Sequence, residues 1–285
     1  LTTPLPINVN PKAYFPIETP VVPADAEVLG RMFRGFREPG RELLAELIAY
    51  AKASENYGTA PGEAAALLVQ LVQALKPETA FFIGTGRGRL EELTLKNYQG
   101  VHVVTLDLPQ ELVETANGKP DQNNIRYRVK LGVTSNDKIG DIFKADPSIA
   151  NRATQILGDS YTFNPSRLAG KFRLIVVDGN HGSHNAQMDL ANALELADNK
   201  NGAVIFVDDF RKGPPLNSGV EQAVLNFHSI TGLTPILPCP KPGQEGFSAC
   251  VALIVVPAGF NTELAVKKIR RLARALKNPD LLLPS

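Results

Sequence analysis

Two groups of residues carry chemistry by their type and spacing. The first is Asp178-Gly179-Asn180-His181 together with Asp208-Asp209. Each follows a predominantly apolar run, Phe172–Val177 and Ala203–Val207, of the kind that a strand buried on both faces shows. In open α/β sheets, ligands collect outside the carboxyl ends of the strands, so these three carboxylates point towards one crevice. Carboxylates that converge repel one another unless a cation or protons intervene. Oxygen ligands of this kind suit Mg²⁺, Mn²⁺ or Ca²⁺. The alternative is a structural or substrate-contact role, with Asp208-Asp209 capping the segment that follows.

The second group is Gly84-Thr85-Gly86-Arg87-Gly88, after the run Thr79–Ile83, with Asp107 at the end of the next run, 19 residues past Gly88. Glycines there allow a tight turn and a close approach of ligand to backbone. A carboxylate at the second strand end can accept hydrogen bonds from both hydroxyls of a ribose. Together they indicate an adenosine-containing cofactor. The spacing is G-x-G-x-G, with Arg89 where the dinucleotide pattern G-x-G-x-x-G has its last glycine, which argues against a pyrophosphate. A third strand end carries Gly158-Asp159-Ser160.

The elements that must position these residues alternate along the chain. Strands are predicted at Thr79–Ile83, His102–Leu106, Thr154–Leu157, Phe172–Val177, Ala203–Val207, Thr234–Leu237 and Cys250–Val256, the last two as a hairpin-like ending. Helices are predicted over Glu63–Leu75, Ser183–Asp198 (Ser183 as N-cap, Asn201-Gly202 as stop), Ser218–Thr231 and Thr262–Lys277. Such alternation specifies a mostly parallel sheet covered by helices on both faces. Residues 1–24 carry six prolines, which favours an extended arm lying on its own domain or on a second subunit. A helical stretch over residues 24–54 follows. The polar segment Pro109–Arg152 is longer than a helix connection needs and reads as a lid, a binding loop or a folded insertion. The expected organisation is an arm and helical extension (1–56), a main domain (57–258) with the insertion at about 109–152, and a C-terminal helix and tail (259–285). That helix carries Lys267, Lys268, Arg270, Arg271, Arg274 and Lys277 beside Ala265, Ile269, Leu272 and Leu276. It is expected to pack the apolar stripe on the sheet and solvate its charges.

With 285 residues and 30 Lys+Arg against 29 Asp+Glu, the chain is neither a disordered polymer nor a strongly basic nucleic-acid binder. No stretch approaches the ~20 apolar residues of a membrane-spanning helix. No basic region precedes an apolar core at residues 1–24, so no signal peptide is expected. Cys239 and Cys250 read as apolar partners in adjacent strands, compatible with a cytoplasmic protein. G-x-S-x-G, G-x-x-x-x-G-K-[ST] and H-E-x-x-H are all absent, which removes the common hydrolase, phosphate-loop and zincin readings. His102 and His228 are expected to be structural.

Phe81–Gly88 and Val104–Asp107 resemble the first two motifs of class I S-adenosylmethionine-dependent methyltransferases, a Rossmann-like α/β family. Ile156-Leu157-Gly158-Asp159-Ser160 resembles the segment with which that family contacts adenine. Phe172–Phe210 looks most like the small-molecule O-methyltransferase branch, which includes catechol and macrolide-sugar enzymes. The resemblance covers about Tyr57–Val256 and implies a seven-stranded sheet and S-adenosylmethionine bound by Gly84, Thr85, Gly86, Gly88, Asp107, Gly158, Asp159, Ser160 and Thr59. In metal-dependent members, Asp178, Asp208 and Asp209 correspond to residues that hold a divalent ion such as Mg²⁺. His181 stands where catechol enzymes place a Lys base, and His184 lies one turn further on. Many members carry an acid two positions before the first loop glycine; here that residue is Phe82, which leaves binding to the loop backbone, Asp107 and groups such as Thr59.

The resemblance thus implies methyl transfer to a small-molecule hydroxyl, with no nucleic-acid or membrane partner and a homodimer possible through the arm. Two other readings are an NAD-linked oxidoreductase or hydroxylase-like relative on the same scaffold, and a non-catalytic partner subunit that uses the arm.

Overall fold

The computed structural model describes residues 22–24, 62–115, 122–210, 219–238 and 251–278. The predicted helix over 24–54, Thr59, both cysteines and the loop before Cys250 lie outside them. Eight strands form one sheet: β1 (Val22–Ala24), β2 (Thr79–Ile83), β3 (His102–Asp107), β4 (Ala153–Leu157), β5 (Leu174–Val177), β6 (Ala203–Val207), β7 (Pro235–Pro238) and β8 (Ala252–Val256). Their order is β1-β7-β8-β6-β5-β2-β3-β4. The seven predicted strands are all present, and β1 is an addition from the Pro-rich arm. It pairs parallel with β7, Val22 opposite Ile236. Prolines cannot donate to a ladder and collect at sheet edges, which suits Pro23, Pro235 and Pro238 to this end of the sheet. β8 runs antiparallel between β6 and β7.

The helices are α1 (Gly62–Leu75), α2 (Arg89–Asn97), α3 (Gln110–Thr115), α4 (Gln122–Leu131), α5 (Asp141–Lys144), α6 (Pro147–Ala150), α7 (Ser183–Leu196), α8 (Gly219–Thr231) and α9 (Thr262–Lys277). Period-two alternation along β2 sends Phe81 and Ile83 into a core shared with α7, α8 and α9. Ala80 and Phe82 enter a second core shared with α1 and α2. Both faces are thus covered, as the apolar runs require.

Three expectations are corrected. Gly182, not Ser183, is the N-cap of α7. The same helix stops at Leu196 because Ala197 leaves it to bridge Phe172. Asp198 then accepts hydrogen bonds from the Lys200 and Asn201 amides, turning the chain before Gly202. Finally, α9 lies chiefly on α7 and α8, while its Ala265, Val266 and Ile269 join the core that the sheet shares with these helices. Its buried side chains include Ala265, Ala273 and Ala275, small enough for close helix approach, and Arg270 pairs with Glu195 of α7 at 2.7 Å.

The segment 109–152 carries the short helices α3 to α6 joined by turns, and it braces the glycine loop. The Gly140 amide donates to Gly86 O at 3.0 Å and the Ile142 amide to Arg87 O at 3.0 Å. Arg87 grips both oxygens of Asp141 at 2.9 and 2.8 Å. Ile139, Phe143 and Ile149 are buried beneath this contact.

Candidate functional site

From β2 the chain builds β3 and β4 on one side, then returns to place β5 on the other side of β2. The crevice between the ends of β2 and β5 is the switch point at which such sheets bind ligands. There the glycine loop crosses the turn after β5. Gly84 has φ +92°, and a Cβ on it would lie 1.9 Å from the Asp178 carbonyl oxygen. Glycine is required at this position both for the backbone conformation and for the approach. Gly88 has φ +85°, with Phe143 in the space a side chain would need.

Asp107 closes the loop from β3. Its Oδ2 accepts hydrogen bonds from the Thr85 and Gly86 amides at 3.0 and 2.8 Å. Its Oδ1 accepts from Arg128 of α4, a buried guanidinium that also donates to Leu108 O at 2.6 Å. A carboxylate offers about four acceptor sites, so these three bonds leave room for one further hydroxyl. The turn after β4 is tied back in the same manner. The Gly158 amide donates to Asp107 O at 2.8 Å, and the Tyr161 amide to Asp159 Oδ1 at 2.9 Å. Ser160 offers its carbonyl oxygen to Asn192 at 2.7 Å.

At the other lip stand the acidic residues. One ligand atom each from Asp178, His181 and Asp209 lie within 4.8 Å of one another. His181 Nε2 donates to Asp209 Oδ2 at 2.8 Å. Asp209 adopts φ 57°, a left-handed conformation that Asp tolerates better than most residues. Asp208 is 3% exposed and does not join this trio, and its Oδ1 is buried without a hydrogen-bond partner. Burial and the Asp209 charge push its carboxyl up to about 7. Asp178 is held well above the ordinary carboxylate range by burial first, then by Asp208 and Asp209.

Several participants were not legible in the sequence. Arg128 sits in the insertion with no motif around it. Glu91 and Glu92 look alike, yet Glu92 pairs with Arg89 and Lys96 while Glu91 is buried on Thr105. Asp189 of α7 is 1% exposed behind Gly179, and burial raises it to about 7. Only its place on the inner face of α7 could have singled it out. His228 is bonded to Leu233 O and His102 to Thr154 Oγ1. His184 stacks edge-on against Tyr161.

The family model described as "Methyltransferase domain" matches residues 57–210. The chain belongs to this family. The strand order and the family match together carry the class I, S-adenosylmethionine-dependent assignment first indicated by the glycine loop. No curated protein matches in sequence. Among solved structures, the chain is similar to an O-methyltransferase from Bacillus cereus in complex with SAH, at 18% identity and TM-score 0.42, covering 80% of this chain and 96% of that one. It is also similar to the O-methyltransferase TomG from Streptomyces achromogenes, in complex with SAM, at 16% identity and TM-score 0.45, covering 81% and 96%. Among the described residues, no helix of this methyltransferase is long and apolar enough to cross a membrane.

Proposed function

We propose that this methyltransferase moves the methyl group of S-adenosylmethionine to a hydroxyl oxygen of a small molecule. The observation that carries the reading is the contact of the two motif groups at one switch point, Gly84 against the Asp178 carbonyl. A donor lying along the loop would have its methyl carried to where Asp178, His181 and Asp209 gather.

S-adenosylmethionine supplies an electrophilic methyl on a sulfonium. The loop Gly84, Thr85, Gly86 and Gly88 would offer it a close backbone surface, its amides being held within the protein by Asp107, Leu106 O and Thr85 O. One ribose hydroxyl goes to the remaining acceptor site of Asp107, and the adenine to Gly158-Asp159-Ser160. Transfer is an in-line displacement, so the protein's task is to align the acceptor oxygen and exclude water. With the Nε2 proton donated to Asp209, the basic nitrogen of His181 is Nδ1, which takes the hydroxyl proton. Asp209 then steadies the imidazolium, as a carboxylate does for a catalytic histidine elsewhere.

The acidic cluster fits a divalent cation. Its carboxylates supply oxygen ligands, the buried Oδ1 of Asp208 lacks a partner, and burial and mutual repulsion raise the Asp178 and Asp208 carboxyls above the ordinary range. Asp178 and Asp209 would hold the ion, with Asp208 behind them. A bound Mg²⁺ or Mn²⁺ would acidify and orient a substrate hydroxyl.

The test is calorimetric titration with S-adenosylmethionine and S-adenosylhomocysteine, followed by methylation of vicinal-diol phenols and sugars with Mn²⁺ or with EDTA. Saturable binding of both ligands and O-methyl products are expected. Absence of binding by either ligand would sink the reading; binding with activity indifferent to EDTA would remove the metal from it.

A further inference from the structure

We infer that Glu91 is an acid behind the glycine loop whose ionised form makes the site prefer the cationic methyl donor over its product. The inference rests on the reading of the site as one for S-adenosylmethionine. Glu91 lies on the first turn of α2 and is 1% exposed. Its Oε1 accepts from Thr105 Oγ1 at 2.8 Å, and Thr105 Oγ1 is joined to Thr85 Oγ1 at 2.5 Å. Thr85 belongs to the loop, so a chain of two hydroxyls connects the carboxyl to the surface on which the donor would rest. Thr105 is the register partner of Phe82, and the two occupy the same face of the sheet. Glu91 therefore brings an acid to the face where β2 itself offers only an aromatic ring.

No ion pair to Glu91 exists among the described residues. The cations on its own helix, Arg89 and Lys96, pair with Glu92. The acids that face it from β3 and from the end of β5 are Asp107, which is paired with Arg128, and the buried Asp178. Burial, reinforced by Asp107, pushes the carboxyl up to about 8. An interior acid without a cation is a liability, since an apolar side chain of equal volume would serve packing better. A ligand cation offsets that liability. The donor and its product share the amino-acid ammonium, and they differ by the sulfonium charge, which disappears on transfer. Coulombic attraction in a low-dielectric interior acts without contact, so Glu91 favours the charged donor and lets the neutral thioether go. Glu91 thus acts as a specificity residue and takes no part in bond making.

The experiment measures the affinities of S-adenosylmethionine and S-adenosylhomocysteine by calorimetry at pH 8.5, on the full chain, in wild type, Glu91→Gln and Thr105→Val. Glu91→Gln keeps the hydrogen-bond acceptor and loses the charge; Thr105→Val cuts the hydroxyl chain and keeps the charge. Glu91→Gln is expected to weaken the donor by about tenfold while changing the product less than twofold. Thr105→Val is expected to weaken both alike. Glu91→Met, of similar volume, provides a second neutral variant should the amide disturb packing. Equal losses for both ligands in the Glu91 variants, or no loss for either, overturn the inference and leave the acid as a neutral structural group. Wild type that binds neither ligand overturns the reading of the site itself, and this inference with it.

Discussion

His181 and Asp209 form the smallest unit that can move a proton in this molecule. A carboxylate has only acceptor sites, so the 2.8 Å contact requires the proton on Nε2. That assignment decides which nitrogen can act as base. His181→Gln should lower kcat by about 10²–10³-fold, within the usual range for loss of a general base, and leave donor affinity within about twofold. Steady-state kinetics with an acceptor found by the screen, beside calorimetry of the donor, checks both halves. A loss confined to donor affinity would place His181 in cofactor binding instead. His184 sits beside Tyr161, and Lys277 lies over the same ring. His184→Gln is accordingly expected to leave kcat within threefold of wild type, the contrast that separates a base from a neighbouring imidazole.

Among the elements, the insertion at 109–152 braces the glycine loop. Its short helices reach the glycine loop by two backbone hydrogen bonds and one two-pronged ion pair. Because Arg87 and Asp141 are partly exposed, with side chains 26% and 19% accessible, the pair is worth about 1 kcal/mol after solvent screening. Removing it should loosen the loop more than the fold. Arg87→Ala is expected to raise the donor Kd about fivefold, with Asp141→Ala similar and the double variant no worse than either single change. Titration of the three variants tests this, and additive losses would mean that the two side chains act separately. The sequence signal for the insertion was its length and polarity, which specify only that it is an addition. That it is a brace depends on Phe143 and Ile139 finding buried places beneath Gly88 and Gly140, a long-range fact.

For the whole molecule, the buried carboxyls make stability depend on pH in an uncommon direction. Glu91 is raised to about 8, and Asp189 and Asp208 to about 7. In the unfolded chain they titrate near 4. A carboxyl with a raised folded pKa contributes stability that is complete below about pH 4 and is lost as pH climbs through its folded value. The exposed acids held below their usual values, such as Asp146 and Glu263, have already completed their contribution by pH 6. His184 is lowered by burial and gains stability with rising pH, but only through about pH 6.5. Between pH 7 and 8.5 the melting temperature in EDTA should therefore fall, by roughly 2–4 °C for each kcal/mol lost at this chain size. Asp208→Asn should flatten the slope, and Mn²⁺ should restore stability at the upper end. A flat profile in EDTA would show that these acids keep their protons, or find other partners, across the window.

The residues legible in sequence were those whose context is local. A glycine loop after an apolar run, an acid at the next strand end and carboxylates after two further strands each follow from neighbours a few positions away. Seven strands were recoverable for the same reason, since runs such as Leu174–Val177 are apolar whatever they pair with. What the tertiary structure decided is which of these groups meet. The return of the chain to set β5 beside β2 brings Gly84 onto Asp178. Packing of α2 on β3 separates a buried Glu91 from an ion-paired Glu92 with the same sequence signature. α9 settles on helices because small side chains let it approach α7. Asp208 and Asp209, adjacent in sequence, part ways because the left-handed backbone at Asp209 sends one carboxylate to His181 and leaves the other buried behind. Charge and burial at a site are sums over the elements that surround it, and those sums exist only once the sheet has closed around them.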